Sequence, residues 1–359
     1  MPDIINPIRE ISAMVSRLKL RFRHFLFLSA LYALPATLRA ASECDGWQIR
    51  HPDWIFCDDF EKGGAMVGPA RYFEYDDNKG DFKPAAGAGL HGTTGMRAVW
   101  QSAEVDAGNL KLGFGRAPGP YFSKGIRTEA DFREVYYRMF VRLQKGWKGN
   151  PFKLSRATVI AKTDWSQAMI AHLWGDRGDR LQLDPVSCTD ASGAVKCSGY
   201  NDFNNMQWIG AKAGATPLFD GSYDEKWLCV ETHVRLNDAG QANGVHEYWI
   251  GDTLEARREG LNFLGGYKAY GINGIFLENY WNSGSPQLQE RYFDNLVVST
   301  KRIGCSEDGG APASLPVPPL RGSAPIKTGI LGIDGSPAVL GMDEIRSLTG
   351  RKISLKRMF

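Results

Sequence analysis

The sequence lacks the concentrated basic segment that a nucleic-acid-binding core needs. Its 359 residues contain 43 Lys and Arg against 40 Asp and Glu, a formal net charge of +3. The excess lies at the two ends, since residues 1–40 and residues 321–359 each carry a net charge of +4, whereas residues 41–320 carry −5. The middle of the chain is therefore mildly acidic, and no nucleic-acid partner is expected.

The chain also lacks an apolar run long enough to form a stable membrane span. Its N-terminal run, residues 25–34, is shorter than the roughly 20 residues that a spanning helix needs. Basic residues precede this run and small residues follow it, at Ala36, Ala40, Ala41 and Ser42. This order predicts a signal peptide over residues 1–42 and a secreted or periplasmic protein. A short membrane-anchoring helix is the alternative interpretation of the same run.

No two cysteines form a CxxC pair, so the sequence gives no support for a zinc site. All six cysteines follow the predicted signal peptide, and an even number in an exported chain favours disulfides. Cys188 and Cys197 enclose a short polar turn, which predicts a local bridge between them. For the remaining four cysteines, the pairings Cys57–Cys305 and Cys44–Cys57 are both open.

Helical periodicity of useful length is absent between residues 45 and 306, where a period of two recurs instead. In Glu134–Arg142 the residues Val135, Tyr137, Met139 and Val141 face one way, and Trp227–Leu236 alternates in the same manner. This period is typical of strands with one face on a core. Further strands are predicted at Met96–Gln101, Ala157–Lys162, Ala168–Trp174, His246–Ile250, Gly274–Tyr280 and Tyr292–Ser299.

Forty-one glycines and a high aromatic content complete the pattern of a turn-rich β protein. We therefore predict an all-β fold, a two-sheet antiparallel jelly-roll sandwich, over residues 43–306. Residues 307–325 are rich in Pro and Gly and are predicted to be a linker. Residues 326–359 are predicted to be a small basic tail.

Five segments resemble the concanavalin A-like jelly-roll superfamily. Ile55–Gly63, with its Asp-Asp-Phe-Glu stretch, resembles the entry strand of that fold, and Gly92–Ala98 resembles its second strand. The pair 227–237 and 244–252 and the segment Tyr292–Ser299 are similar to its paired and closing strands. Within the superfamily, the chain resembles the polysaccharide-lyase-like and glucan-binding branch. It lacks the E-x-D-x-x-E triplet of laminarinases, which argues against retaining hydrolysis by two carboxylates on one strand.

The resemblance implies cleavage of a polysaccharide by β-elimination in the groove of the concave sheet, without a catalytic cofactor. This reaction needs a cation near the substrate carboxylate, a base, and an acid for the leaving oxygen. Our candidates are polar or aromatic residues of the predicted strands. The catalytic candidates are His172, His233, Arg138 and Tyr248, and the substrate-binding candidates are Tyr136, Trp174, Arg235 and Trp281.

Each of these candidates also has a structural interpretation. His172 can be a satisfied core histidine, and His233 can belong to a solvated charge ladder with Glu231 and Arg235. The tryptophans can be core residues. We therefore weigh a second hypothesis, a monomeric carbohydrate-binding or envelope protein without catalysis. A glycoside hydrolase using Glu231 and Glu278 is a third alternative.

Acidic residues near the first and last predicted strands suggest a structural calcium site. Asp59 and Glu61 follow the first strand, and Asp294 lies in the last. First and last strands are usually neighbours in such sandwiches, so these carboxylates are expected to meet and bind Ca²⁺ together with backbone carbonyls. A hydrogen-bonded cluster without metal is the alternative.

Overall fold

Two antiparallel sheets of eight strands each form the computed structural model, which describes residues 42–305. Sheet I has the order β14 (Thr253–Leu261), β13 (Gly244–Ile250), β12 (Leu228–Arg235), β6 (Glu134–Leu143), β16 (Gln289–Ser299), β4 (Thr94–Trp100) and β3 (Phe82–Ala86), with β1 (Trp54–Asp58) also paired to β16. Sheet II has the order β10 (Gln207–Trp208), β9 (Leu181–Ser187), β8 (Gln167–Gly175), β7 (Lys153–Ile160), β15 (Gly274–Tyr280), β5 (Asp106–Gly113) and β2 (Glu74–Asp76), with β11 (Lys212–Ala213) also paired to β9.

Helical structure within the described range is limited to single turns. The α-helices are α1 (Trp47–Arg50) and α2 (Pro120–Ser123), and the 3₁₀ turns lie at Asn78–Gly80 and Leu90–Gly92. No helix among residues 42–305 has the length and apolarity needed to cross a membrane. The predicted all-β, two-sheet antiparallel sandwich is confirmed. The predicted linker and tail, and all of the predicted signal peptide except Ser42, lie outside the described residues.

The strand predictions agree with the structure within a few residues at each end. The strand Gly274–Tyr280 has the predicted bounds, and Glu134–Leu143 extends the prediction by one residue. The largest difference is in β7, which begins at Lys153 and ends at Ile160, whereas the prediction began at Ala157. A bulge between Lys153 and Ser155 interrupts the regular alternation at the start of this strand.

The core lies between the sheets and is built from the inward-facing half of each strand. On β6 the inward residues are Val135, Tyr137, Met139 and Val141, as the sequence pattern predicts. On β8 the residues Met169, Ala171 and Leu173 face them from sheet II. Because strand side chains alternate, the residues between them point away from the core. His172 and Trp174 of β8 therefore lie on the outer face of sheet II.

Three disulfides join the described cysteines. Cys188–Cys197 closes the predicted local loop, which confirms that pairing. Cys44 pairs with Cys57 and Cys229 pairs with Cys305, so the alternative pairing Cys57–Cys305 is wrong. Cys305 lies beside β12 because the segment that follows β16 turns back over sheet I, where the backbone N–H groups of Ile303 and Gly304 donate to Glu231.

We expect the Cys229–Cys305 bridge to make the largest single contribution to the disulfide stabilisation. It closes a sequence separation of 76 residues, against 9 for Cys188–Cys197. Loop-closure entropy then predicts that Cys229→Ala with Cys305→Ala lowers the free energy of unfolding by about 4 kcal/mol, and removal of the short bridge by about 3 kcal/mol. Urea denaturation of both double variants measures the difference. An equal or smaller loss for the long bridge contradicts this prediction.

Candidate functional site

Three neighbouring strands of sheet II, β7, β8 and β9, align polar side chains on its outer face. In the register of the sheet, Phe276 of β15 is the cross-strand partner of Arg156 on β7, and Arg156 is the partner of His172 on β8. His172 is in turn the partner of Asp184 on β9. A guanidinium, an imidazole and a carboxylate therefore lie side by side in one row across the sheet.

Arg156 is fully buried, and each of its three guanidinium nitrogens has a hydrogen-bond partner. Its Nε donates to Glu278 Oε2 at 2.9 Å, its second nitrogen bonds the other carboxylate oxygen, and its third donates to Asn201 Oδ1 at 2.7 Å. Tyr200 donates its hydroxyl to the same carboxylate at 3.1 Å. Burial by itself would raise the pKa of Glu278, but the Arg156 guanidinium outweighs burial and holds the pKa below its ordinary value. Both groups are therefore charged at neutral pH.

His172 is buried and has one free ring nitrogen. Its Nδ1 lies 3.0 Å from the carbonyl oxygen of Asp184, whereas Nε2 has no hydrogen-bond partner among the described residues. Burial, followed by the nearby Arg156 cation, lowers the pKa of His172 well below 6.5. The ring is therefore neutral at neutral pH. With Nδ1 donating to the carbonyl, Nε2 keeps its lone pair and is able to accept a proton.

Two tryptophans cover the His172 ring. The ring centroid of Trp174 lies 3.7 Å away, and Trp208 of β10 stacks at 5.7 Å with an interplanar angle of 24°. Trp174 is buried, but Trp208 is 44% exposed. A molecule on this face therefore reaches His172 Nε2 only if the Trp208 side chain moves.

Lys153 lies in an aromatic cage beside this row. Its Nζ is 4.6 Å from the ring centroid of Tyr280, 5.3 Å from Trp174 and 5.9 Å from Phe203. Within residues 42–305 it makes no salt bridge. Burial is the main influence on the pKa of Lys153 and lowers it. Aromatic faces stabilise an ammonium without neutralising it, so Lys153 keeps its charge for another partner.

Exposed aromatic side chains are concentrated on this face. Phe203 is 53% exposed and Tyr280 is 37% exposed, and Tyr200 and Trp208 lie between these values. Within the described residues they make up four of the nine exposed large hydrophobic side chains. Flat, partly exposed aromatic rings are surfaces on which sugar rings can stack.

The other predicted polar candidates lie on the opposite side of the sandwich. His233 and Arg235 of β12 and Tyr136 and Arg138 of β6 are on the outer face of sheet I. His233 bridges Glu247 and Glu134, each at 2.7 Å, and stacks on Tyr136. The structure thus does not bring His233 or Arg138 to His172.

Arg138 is covered by the two ends of the described chain. It pairs with Glu43, and another nitrogen donates to the carbonyl oxygen of Gly304 at 3.2 Å. Arg235 donates to the carbonyl oxygen of Asn243 at 3.0 Å. These cations are used to hold terminal and loop segments on sheet I.

The remaining two aromatic candidates face the core. Tyr248 of β13 donates its hydroxyl to the carbonyl oxygen of Leu181 at 2.9 Å, between the sheets. Trp281 stacks on Trp147 and meets Trp100 edge to face. Of the eight catalytic and substrate-binding candidates, only His172 and Trp174 therefore share the outer face of sheet II.

The three acidic residues proposed for calcium accept backbone hydrogen bonds. Asp294 Oδ2 accepts the N–H of Leu90 at 2.7 Å, and Asp59 and Glu61 each accept a backbone N–H. Burial, with the charge of Asp59 as a minor cause, raises the pKa of Asp294 to about 7. Within residues 42–305 no group of three His, Cys, Asp or Glu is placed to hold a metal ion. A site here therefore requires backbone carbonyls as further ligands.

Sequence reasoning missed Lys153 and Arg156. The predicted strand began at Ala157, so both residues lay before its start and neither was assigned to a face. The available signal was the alternation of Arg156, Thr158 and Ile160 with Ala157 and Val159. Extending that period backwards places Arg156 on the same side as Thr158, away from the core.

No protein-family model matches the chain, and no curated protein matches it. Solved structures with partial similarity include the endo-β-1,4-glucuronan lyase of the fungus Trichoderma reesei, at 12% identity and a TM-score of 0.46 over 69% of this chain and 96% of that one. The PL-14 alginate lyase of Aplysia kurodai has 11% identity and a TM-score of 0.44 over 62% of this chain and 87% of that one. The cellulose-induced protein Cip1 has 14% identity and a TM-score of 0.38 over 70% of this chain and all of that one. These neighbours include polysaccharide lyases, as the sequence resemblance predicted, but likeness this distant carries no argument about activity.

We expect the buried Arg156–Glu278 pair to be required for stability. Glu278→Gln leaves the Arg156 charge uncompensated and should lower the free energy of unfolding by about 3 kcal/mol at pH 7. Because the folded-state pKa of Glu278 is lower than its ordinary value of 4.5, the pair stabilises the fold above about pH 4.5. The difference between the variant and the wild type should narrow as the pH falls below that value.

Denaturant titrations at several pH values measure this difference. The matched control is Asp131→Asn, which removes the exposed pair with Arg116 and should cost less than about 1 kcal/mol. Equal losses for the two variants contradict a special role of the buried pair.

Proposed function

We propose that the protein is a polysaccharide lyase that cleaves an acidic glycan by β-elimination on the outer face of sheet II. The single observation that carries this proposal is the free Nε2 of a neutral, buried histidine beside a caged lysine that makes no salt bridge within residues 42–305. A base without a proton and a cation that is not in direct contact with a carboxylate are the two groups that this reaction requires.

His172 is assigned as the general base. Nε2 takes the proton from the carbon next to the sugar carboxylate, and the electrons of that C–H bond form a double bond to the neighbouring carbon. The bond from that carbon to the glycosidic oxygen breaks, and the leaving oxygen takes a proton. One product carries an unsaturated uronate at its new non-reducing end, and the other keeps the glycosidic oxygen as a new reducing end, with no water consumed.

Lys153 is assigned to the substrate carboxylate. Arg156 is the other cation in the row, but Glu278 already neutralises it and Asn201 occupies its remaining outward nitrogen. The direct contacts of Lys153 Nζ are with aromatic rings, and the carboxylates of Glu278 and Asp106 act on it without a salt bridge, so its charge is available to stabilise the substrate carboxylate as negative charge develops on it. Tyr280, whose ring lies 4.6 Å from Lys153 Nζ and is partly exposed, is assigned as the donor to the leaving oxygen.

Binding without catalysis is the second candidate. It is favoured by the complete burial of His172 under Trp174 and Trp208, together with the exposed aromatic rings around it. In that case Trp208 stays in place, and the face binds sugar rings by stacking alone.

We infer that the protein works outside the cytoplasm, secreted or periplasmic, and as a monomer. Its three disulfides indicate an oxidising compartment. The N-terminal sequence pattern supports export.

The lyase assignment predicts formation of unsaturated product from a uronate polysaccharide, followed by ultraviolet absorbance across a substrate panel. His172→Gln should lower kcat by roughly 10²-fold or more, because it removes the base, and Lys153→Gln should lower it by roughly 10²-fold. Since the pKa of His172 lies well below 6.5, its protonation should not reduce the rate between pH 8 and about pH 6.5.

His233→Gln, on sheet I, is the matched control and should leave kcat unchanged. Circular dichroism of each variant checks that it folds. Glycan binding without unsaturated product from any substrate would exclude the lyase and leave the binding protein. The absence of both glycan binding and unsaturated product would exclude both candidates.

We also propose a structural calcium ion at the ends of the first and last strands, held by Asp59, Glu61 and Asp294 with backbone carbonyls. Calcium should raise the Tm of the wild type above its value in EDTA. The same addition should have no effect on Asp294→Asn, and Asp184→Asn on the other sheet is the control that keeps the calcium response. A wild-type Tm that is independent of calcium contradicts the site.

A further inference from the structure

We propose that the outer face of sheet II is specific for glycans in which single uronates are separated by neutral sugars, in preference to homopolymers of uronic acids. This inference rests on the proposed function and narrows its substrate class. Two observations support it. Only one of the buried cations on this face, Lys153, makes no salt bridge within the described residues, and aromatic rings are arranged around that lysine.

Three buried or nearly buried cations lie on this face, and two of them are already neutralised. Lys111 of β5 pairs with Glu74, and Arg156 pairs with Glu278. Within residues 42–305, Lys153 is the one of these three without a carboxylate partner. The face therefore offers one strong position for a substrate carboxylate.

Carboxylates lie near this position, since those of Glu278 and Asp106 both act on the Lys153 charge. Asp184 lies beside His172 in the row and is partly buried, and burial raises its pKa to about 6. Above that pH it is ionised. A second substrate carboxylate close to the first would face this anion and would find no further unpaired cation, so a chain with a carboxylate on every sugar loses affinity by repulsion and desolvation.

Aromatic rings, by contrast, extend on both sides of Lys153 across the strands. We define the aromatic band as Tyr280, Trp174 and Trp208. Lys153 Nζ lies between the first two rings, at 4.6 and 5.3 Å, and the Trp174 and Trp208 centroids are 6.1 Å apart. Rings favour the apolar faces of neutral sugars over charged groups. A glycan with one charged sugar at Lys153 and neutral sugars on the rest of the aromatic band therefore pairs its carboxylate with the ammonium and stacks its neutral sugars on the rings.

The experiment compares three hexasaccharides of equal length in binding titrations that follow tryptophan fluorescence, since Trp174 and Trp208 lie in the band. The probes are a hyaluronan hexasaccharide, which alternates glucuronate with a neutral amino sugar, a polyglucuronate hexasaccharide, and cellohexaose as the neutral chain. We expect the alternating probe to bind at least tenfold more tightly than polyglucuronate. Equal or tighter binding of polyglucuronate overturns the inference.

Single substitutions distinguish the contribution of Lys153 to binding from that of the aromatic band. Lys153→Gln should reduce the affinity for the alternating probe to that for cellohexaose, and Lys153→Arg should restore most of it. Trp208→Ala should weaken the alternating and neutral probes alike by at least fivefold. Leu254→Ala, at an equally exposed apolar residue of sheet I, is the control and should change none of the affinities.

The outcomes distinguish this inference from the proposed function. Product formation with a preference for polyglucuronate retains the lyase and rejects the single-uronate specificity. Absence of binding for all three probes and of product from any uronate polysaccharide rejects both.

Discussion

The alternation of side chains along each strand is the constraint on which the rest of this structure depends. Every second residue must fill the space between the sheets, so the residues between them have only the outer faces to occupy. On β8 this places Met169, Ala171 and Leu173 in the core and sends His172 and Trp174 outward. The chemistry available to the protein is therefore decided strand by strand, by which polar residues fall in the outward half.

The two outer faces are used differently. On sheet I the outward cations hold the chain ends, since Arg138 binds Glu43 and Gly304 while Glu231 accepts the N–H groups of Ile303 and Gly304. Two disulfides fix the same segments. On sheet II the segment after the Cys188–Cys197 bridge covers Arg156 through Asn201 and Tyr200. The cost of burying Arg156 and Glu278 is offset by their mutual pairing, which also removes Arg156 from any role with an anionic ligand.

What is left on sheet II is a small polar area within an aromatic surface. His172 is kept neutral by burial, and its Nε2 remains without a partner among the described residues. Lys153 is surrounded by aromatic rings and makes no salt bridge within the described residues, while the nearby carboxylates of Glu278 and Asp106 favour its charged form. His172 and Lys153 share one neighbour, because the Trp174 ring contacts both side chains. The exposed Trp208 separates this area from solvent, so access to the histidine and binding on the aromatic rings are coupled through one side chain.

The sequence by itself determined the fold class, the core-facing residues of β6 and β12 and the local Cys188–Cys197 disulfide, because period two and short loops are local properties. It did not determine which outward faces meet. His172 and His233 both alternate with apolar residues, yet β8 and β12 belong to different sheets, and only long-range pairing decides this. The Cys229–Cys305 bridge and the Arg156–Glu278 pair likewise join distant segments. Lys153 was hidden by a bulge that breaks the period at the start of β7, where backbone pairing with β8, and not sequence alternation, sets the direction of the side chain.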